Sequence, residues 1–267
     1  MANFLVPAFG KNIVRMVRRL IHNRPMKPYL KRKNVEGVIF DFWISDRDGR
    51  DWYDRQATDP VWMELAFMRD HMIVPGDVVL ECGGHHGCTA IVLGSWVGVT
   101  GRVITFEALP RNCAIIDRNL KQNNLQNVQL EKKAVGAQPE TVFMNDASNS
   151  SVDYSRRGVA VEVVRLDDYI AVKPTVLKID VEGFELQVLE GATGVLALHP
   201  KIELELHTLD LPRYNASIEK IFKAIDPSRY QTWVQWDDVS EPELYDFKQP
   251  IKTRVHLFFL PLNKGSS

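Results

Sequence analysis

The sequence predicts an α/β fold, a mostly parallel sheet with helices on both faces. Two observations carry that prediction. From residue 77 onward, short apolar runs alternate with helical stretches of about ten residues or more, the pattern of successive βαβ units with right-handed crossovers. The composition, 267 residues with 45% hydrophobic and 25% charged side chains, belongs to a globular chain with enough apolar material for one large core.

The elements follow in order. Residues 1–33 carry about nine Lys and Arg and no acid, so the net charge of −1 divides into a basic N-terminal segment and a remainder near −10. Within that segment, KNIVRMVRRLIHN (11–23), wound at about 100° per residue, sets Ile13, Val14, Met16, Val17, Leu20 and Ile21 opposite Lys11, Arg15, Arg18, Arg19 and His22. A cationic amphipathic helix of this kind docks on its own domain or a second subunit, or makes peripheral contact with an anionic membrane surface. Pro25 and Pro28 end it.

Residues 34–75 are expected to form a hairpin, VIFDFWISDRDGRDWYD (38–54) turning at DRDGR, followed by a helix that starts at Asp59 and Pro60. The domain proper, 76–262, has strands at DVVLE (77–81), RVITFE (102–107), NVQLEKKAV (127–135), VAVEVVRL (159–166), TVLKID (175–180) and KIELELH (201–207). Helices fall at TAIVLGSWVG (89–98), PRNCAIIDRNLKQNN (110–124), GFELQVLEGA (183–192) and SIEKIFKAI (217–225), and QTWVQW with VHLFFL closes the sheet as an antiparallel pair.

Cys82, Cys88 and Cys113 are too few and too unevenly placed for a disulfide framework, and the chain does not open on an apolar leader with a cleavage site. A reducing, cytoplasmic compartment is expected. No apolar run approaches the roughly 20 residues of a membrane span.

In open α/β sheets the ligand sits at the carboxyl ends of the strands. That rule selects residues 81–87, Glu107, residues 180–183 and residues 205–207. In LECGGHHGCTA (80–90), Cys82, His85, His86 and Cys88 are legitimate zinc ligands, but structural zinc sites join two separated ligand pairs and here all four crowd into one turn. A cofactor loop needs less. Glycines let the chain turn sharply and let a ligand approach, and the next helix aims its amide dipoles at the site. Glu107 ends the next strand, where a carboxylate can accept both hydroxyls of a ribose. The string CGGHHG lacks the first glycine of the dinucleotide pattern, and the acid before it, Glu81, suits a cationic cofactor with an amino group and a sulfonium, S-adenosylmethionine.

VVLECGGHHG, GRVITFEALPRNCAIIDRNLKQNN, LDDYI, LKIDVEGFELQVLEGA and KIELELH resemble, in order and spacing, the FkbM-type S-adenosylmethionine-dependent methyltransferases over about residues 60–210. The resemblance implies an α/β class I methyltransferase (Rossmann-like) fold, a seven-stranded mostly parallel sheet with its last strand antiparallel. It implies that Glu81, in place of the usual Asp, holds the methionine part of the cofactor. Gly83 and Gly87 stand on the motif's glycines, Glu107 is the ribose acid, and Ala134 and Val135 flank the adenine. Gly84, His85, Ala108 and Asp180 complete the expected cofactor-binding set. His85 stands where Asn is common, and His86 where an aliphatic residue is usual.

Methyl transfer to a hydroxyl is an in-line displacement, so acceptor oxygen and methyl carbon must be held in a near-attack pose while the proton is removed. Asp180, Glu182, Glu205 and His207 lie at the right strand ends, and alternation in KIELELH puts Glu203, Glu205 and His207 on one face with Ile202, Leu204 and Leu206 on the other. Either His207 or Asp180 is a general base, or Asp180 and His207, with Glu205, bind a divalent ion; the metal-free base is favoured. Glu182 also reads as a cap for the helix starting at Gly183, and Lys178, if buried, needs Asp180 or Glu205 as partner. Trp52, Tyr53, Asn149, Ser150 and Ser151 are expected around the acceptor, which the resemblance places among saccharides, lipids and secondary metabolites, with no nucleic acid. The rival readings are a nicotinamide-dependent oxidoreductase and a non-catalytic, membrane-tethered binding module.

Overall fold

The computed structural model describes residues 26–54, 62–145, 152 and 158–262. The 11–23 helix, Asp59, Pro60, and Asn149 to Ser151 lie outside the described residues.

Tyr29–Val35 (β1) pairs antiparallel with Val38–Ile44 (β2) across Glu36 and Gly37, whose φ values are 45° and 84°. Two central residues at positive φ make the hairpin turn whose twist matches the flanking strands. The hairpin therefore lies one element earlier than the sequence pattern implied. DRDGR starts a helix instead, Arg47–Tyr53 (α1), because the Asp46 side chain accepts from the Gly49 N–H at 2.7 Å and fixes an N-terminus there.

Met63–Phe67 (α2) runs on through Met68–Met72 as a π-helical turn. Next come Val78–Cys82 (β3), Cys88–Val97 (α3), Arg102–Phe106 (β4), Pro110–Gln122 (α4), Val128–Glu131 (β5), Ala134–Val135 (β6), Glu140–Met144 (β7) and Val159–Val164 (β8). The chain continues with Val176–Ile179 (β9), Glu185–Glu190 (α5), Thr193–Ala197 (α6), Lys201–Leu206 (β10), Ile218–Ile225 (α7), Tyr230–Gln235 (β11), Glu243–Leu244 (β12) and Val255–Pro261 (β13).

The main sheet has the order β12-β11-β13-β10-β9-β3-β4-β5. Strands β5, β4, β3, β9 and β10 run parallel, and β13 is antiparallel to both its neighbours. This is the class I methyltransferase sheet with one addition. The edge strand β12, held by two residue pairs to β11, makes eight strands where seven were expected. The run 127–135 is also not one strand: it breaks after Glu131, and β6 joins β8 and β7 in a separate three-stranded sheet. Lys132, paired with Asp117 in solvent, and Lys133 stand at the break, and such residues do not continue a strand buried on both faces.

The two faces of the sheet carry separate apolar layers. Leu80, Ile104, Leu177, Ile202, Leu204 and Leu206 pack with α5, α6 and α7, whereas Val79, Val103, Val176 and Phe258 pack with α2, α3, α4 and the β1–β2 hairpin. Each fully buried aliphatic side chain contributes about 1.5–3 kcal/mol.

A polar row crosses the second face. Glu81, Lys178 and Glu203 are register partners on β3, β9 and β10. A buried charge must be paired, and Lys178 Nζ meets Glu203 Oε2 at 3.0 Å, not Asp180 or Glu205, while His256 Nδ1 takes the other Glu203 oxygen at 2.9 Å. The strand alternation decides this choice, because Glu203 stands directly beside Lys178 and Asp180 lies past the end of β9. No helix among the described residues is long and apolar enough to cross a membrane.

Candidate active site

A cleft opens at the carboxyl ends of β3, β4 and β9. Cys82, Gly83, His85, Phe106, Glu107, Ala108, Ala134, Val135, Asp180, Glu182 and Phe184 are among its lining residues. Seven of the expected cofactor residues line it: Gly83, His85, Glu107, Ala108, Ala134, Val135 and Asp180.

Glu81, Gly84 and Gly87 do not. Glu81 is 1% exposed beneath the loop. Burial pushes it up to about 7 against the pull of Thr105 and Lys178. Gly84 packs on Thr105, where a Cβ would stand 2.4 Å from the hydroxyl, and Gly87 serves as the left-handed residue from which α3 starts. These glycines shape the backbone and leave contact to their neighbours. Gly83 does both: its φ is 99°, and a Cβ would lie 1.9 Å from the Asp180 carbonyl oxygen.

Glu107 accepts from the His85 N–H and the Leu109 N–H, each at 2.8 Å. Burial pushes it up to about 7, and those two bonds hold it lower than burial alone would. The small apolar Ala108, Ala134 and Val135 suit a flat purine, so the residues present fit a nucleoside cofactor.

His85 has φ of 46°, a left-handed conformation that Asn, Asp and His tolerate better than most residues. Its ring stacks on His86 with centroids 4.1 Å apart, and its Nδ1 meets the Tyr53 hydroxyl at 2.6 Å. His86 is fully buried against α1, where a Cβ on Gly49 would be 2.9 Å from His86 Nδ1. Tyr53 therefore braces the loop and offers no open platform to an acceptor, and Trp52 is 57% exposed. Cys82 and Cys88 are both buried, and no disulfide joins them.

At the ends of β9 and β10, Asp180, Glu205 and His207 each present a ligand-type atom within 4.8 Å of the others. His207 Nε2 lies 3.5 Å from Glu182, 3.6 Å from Glu205 and 4.0 Å from Asp180. Its Nδ1 meets Glu185 at 2.8 Å. Burial pulls His207 down, but the Glu185 hydrogen bond and the charges of Asp180 and Glu205 outweigh it and hold the ring at about 9. Burial and Glu205 push Asp180 well above the usual carboxylate range. Glu205 is ion-paired with Arg254; burial raises it, while His256, Lys178, His207 and Arg254 together bring it to about 2.

Sequence reasoning missed Glu185. It is fully buried, it accepts from the Gly183 N–H at 2.9 Å, and so it, not Glu182, satisfies the backbone where α5 begins. The helix itself starts at Glu185, two residues later than expected, because Glu182 and Gly183 both take positive φ (51° and 98°). Its only signal was position, two residues after the glycine of KIDVEGFE.

The family model of the methyltransferase FkbM domain matches residues 81–231, more than half of the chain. No curated protein matches it. Among solved structures, a methyltransferase FkbM from Methylobacillus flagellatus KT is 20% identical over 69% of this chain and 43% of that one, with a TM-score of 0.44. The chain thus spans less than half the length of that protein. An rRNA methylase from Streptococcus thermophilus is 10% identical over 78% and 99% of the two chains (TM-score 0.48). Fibrillarin from Aeropyrum pernix, in complex with natively bound S-adenosyl-L-methionine, is 13% identical over 90% and 96% (TM-score 0.42). With the strand order, the glycine loop and the family match in agreement, the chain belongs to the FkbM family of S-adenosylmethionine-dependent methyltransferases.

Proposed function

We propose that the protein methylates a hydroxyl of a saccharide, lipid or secondary-metabolite acceptor, and that Asp180, Glu205 and His207 are its catalytic residues. The observation that carries this reading is that Asp180 lines the same cleft as Glu107, Ala108, Ala134 and Val135 and also stands in the cluster with Glu205 and His207. S-adenosylmethionine, when bound, supplies the methyl group on a sulfonium. Glu107 holds the ribose hydroxyls, the alanines and Val135 flank the adenine, and the glycine loop admits the backbone-close part of the cofactor. Asp180, which lines the cleft, with Glu205 and His207 beside it, orients the acceptor hydroxyl so that the oxygen attacks in line.

A carboxylate-rich reaction centre also disfavours a polyanionic acceptor, which supports a small-molecule or saccharide hydroxyl over nucleic acid. The basic 11–23 segment is consistent with peripheral attachment to an anionic membrane, where a lipid acceptor would be met. The test is incubation with S-adenosylmethionine labelled in the methyl group and fractionated host extract. Label in a base-stable ether of a saccharide, lipid or small metabolite supports the reading; label in RNA or protein overturns it.

A further inference from the structure

We propose that Asp180, Glu205 and His207 bind a divalent cation of the magnesium–manganese class beside the cleft. The cation's role rests on the hydroxyl-methylation reading above; its binding does not. Sequence pattern alone favours a metal-free base at these residues, and the geometry points the other way.

One oxygen or nitrogen from each residue lies within 4.8 Å of the others. That spread is what a single ion with bonds of about 2.0–2.5 Å draws together. The residues stand on β10 and at the ends of β9 and β10, rigid strands that fix ligand positions better than loops do.

His207 supplies a second, independent observation. It is 8% exposed, and its Nε2 faces the cluster, with three carboxylates at 3.5–4.0 Å. Its other nitrogen is held at 2.8 Å by the fully buried Glu185. The carboxylate on Nδ1 orients the ring with Nε2 toward the cluster, where a bound cation takes the place of the Nε2 proton, the outer-shell arrangement that metal-ligating histidines use.

Charge agrees with it. Asp180, Glu182, Glu185, Glu203 and Glu205 share the cations Lys178, His207, Arg254 and His256, five carboxyl groups to four cations, and a divalent ion replacing the His207 Nε2 proton adds positive charge among the carboxylates. The Arg254 ion pair fixes the direction of Glu205 and leaves each oxygen a lone pair. Asp180, with its side chain 32% exposed, faces the cleft, so water and the acceptor hydroxyl complete the coordination. Two carboxylates and one imidazole favour manganese over calcium. In the reaction, the acceptor O–H bond breaks with its proton passing to Glu182, the O–C bond forms, and the S–C bond breaks with its electron pair going to sulfur.

The test is titration of the full-length chain with Mn²⁺ alone, free ion read by electron paramagnetic resonance, with S-adenosylhomocysteine binding measured separately by calorimetry. One saturable ion per chain is expected, with affinity reduced at least about tenfold by His207→Gln and by Glu185→Gln. Retained S-adenosylhomocysteine binding in both variants shows that they are folded. Saturable Mn²⁺ binding that both variants leave unchanged overturns the site, as does no saturable binding up to millimolar ion in a protein that binds S-adenosylhomocysteine. Failure to bind S-adenosylhomocysteine counts instead against the methyltransferase reading.

Discussion

The Glu185 carboxylate and His207 Nδ1 stand 2.8 Å apart in a fully buried contact between the first residue of α5 and the end of β10. The pair joins two elements separated in sequence and sets which nitrogen of His207 faces the cleft. Glu185→Gln keeps the size and one acceptor but loses the charge, so methyl transfer should fall about 10–100-fold through kcat, with the KM for S-adenosylmethionine nearly unchanged. Steady-state kinetics with the labelled acceptor checks it. An equal loss in cofactor affinity would mean that Glu185 supports the fold of the cleft and not the orientation of His207.

Gly83→Ala places a methyl 1.9 Å from the Asp180 carbonyl oxygen at φ of 99°. Backbone cannot yield as a side-chain tip can, and positive φ adds its own cost of order 1–3 kcal/mol. The variant should lose several degrees in Tm by calorimetry and bind S-adenosylhomocysteine weakly. Wild-type stability and affinity would place the loop elsewhere.

Glu107 holds both the loop backbone and, on the present reading, the ribose. Glu107→Ala removes two charge-assisted bonds, each worth about 1.5–3 kcal/mol, so S-adenosylhomocysteine affinity should drop by at least about tenfold. Glu107→Gln keeps one acceptor oxygen and should fall between the two. Isothermal titration calorimetry ranks the three proteins; an undiminished Glu107→Ala sinks the assignment.

Stability should weaken on the acid side because of the loop histidines. Burial and the neighbouring His86 pull His85 down to about 3, and burial and Arg111 pull His86 down to about 4. The folded protein keeps both rings neutral while the unfolded chain protonates near the ordinary value of about 6.5. Their contribution is complete above that value and is lost as pH falls from about 6.5 toward 4, at up to about 1.4 kcal/mol per pH unit for each group. Urea unfolding between these limits should show the acid limb, and a His85→Asn, His86→Val variant should flatten it. An unchanged limb in that variant would assign acid sensitivity to other groups.

Much of this was legible in the chain. DVVLE, RVITFE, TVLKID and KIELELH read as strands because each is a short apolar run between turn residues, and all four form the centre of the sheet. The alternation in KIELELH separates Ile202, Leu204 and Leu206 from Glu203, Glu205 and His207, as period-two geometry requires. The hairpin was misplaced because DRDGR carries strong turn chemistry, whereas the turn at Glu36 and Gly37 needs a non-glycine residue at positive φ, which sequence pattern rarely reveals. The orientation of the loop residues was not legible for a related reason. Motif spacing identifies which residues build a loop, not which of them face outward, and Glu81, Gly84 and Gly87 turn inward.

The sequence by itself determined the family, the parallel sheet and the strand ends at which ligands gather, because these follow from local periodicity and from short motifs read in order. Tertiary structure alone decided the partners. Lys178 could have met any of three carboxylates, and the register of β9 against β10 chose Glu203. His207 could have presented either nitrogen, and a buried glutamate 22 residues earlier in the chain chose Nε2. Contacts of this kind depend on which strand lies beside which and on burial that forces each charge to find a partner, and neither is a property of a local stretch of sequence.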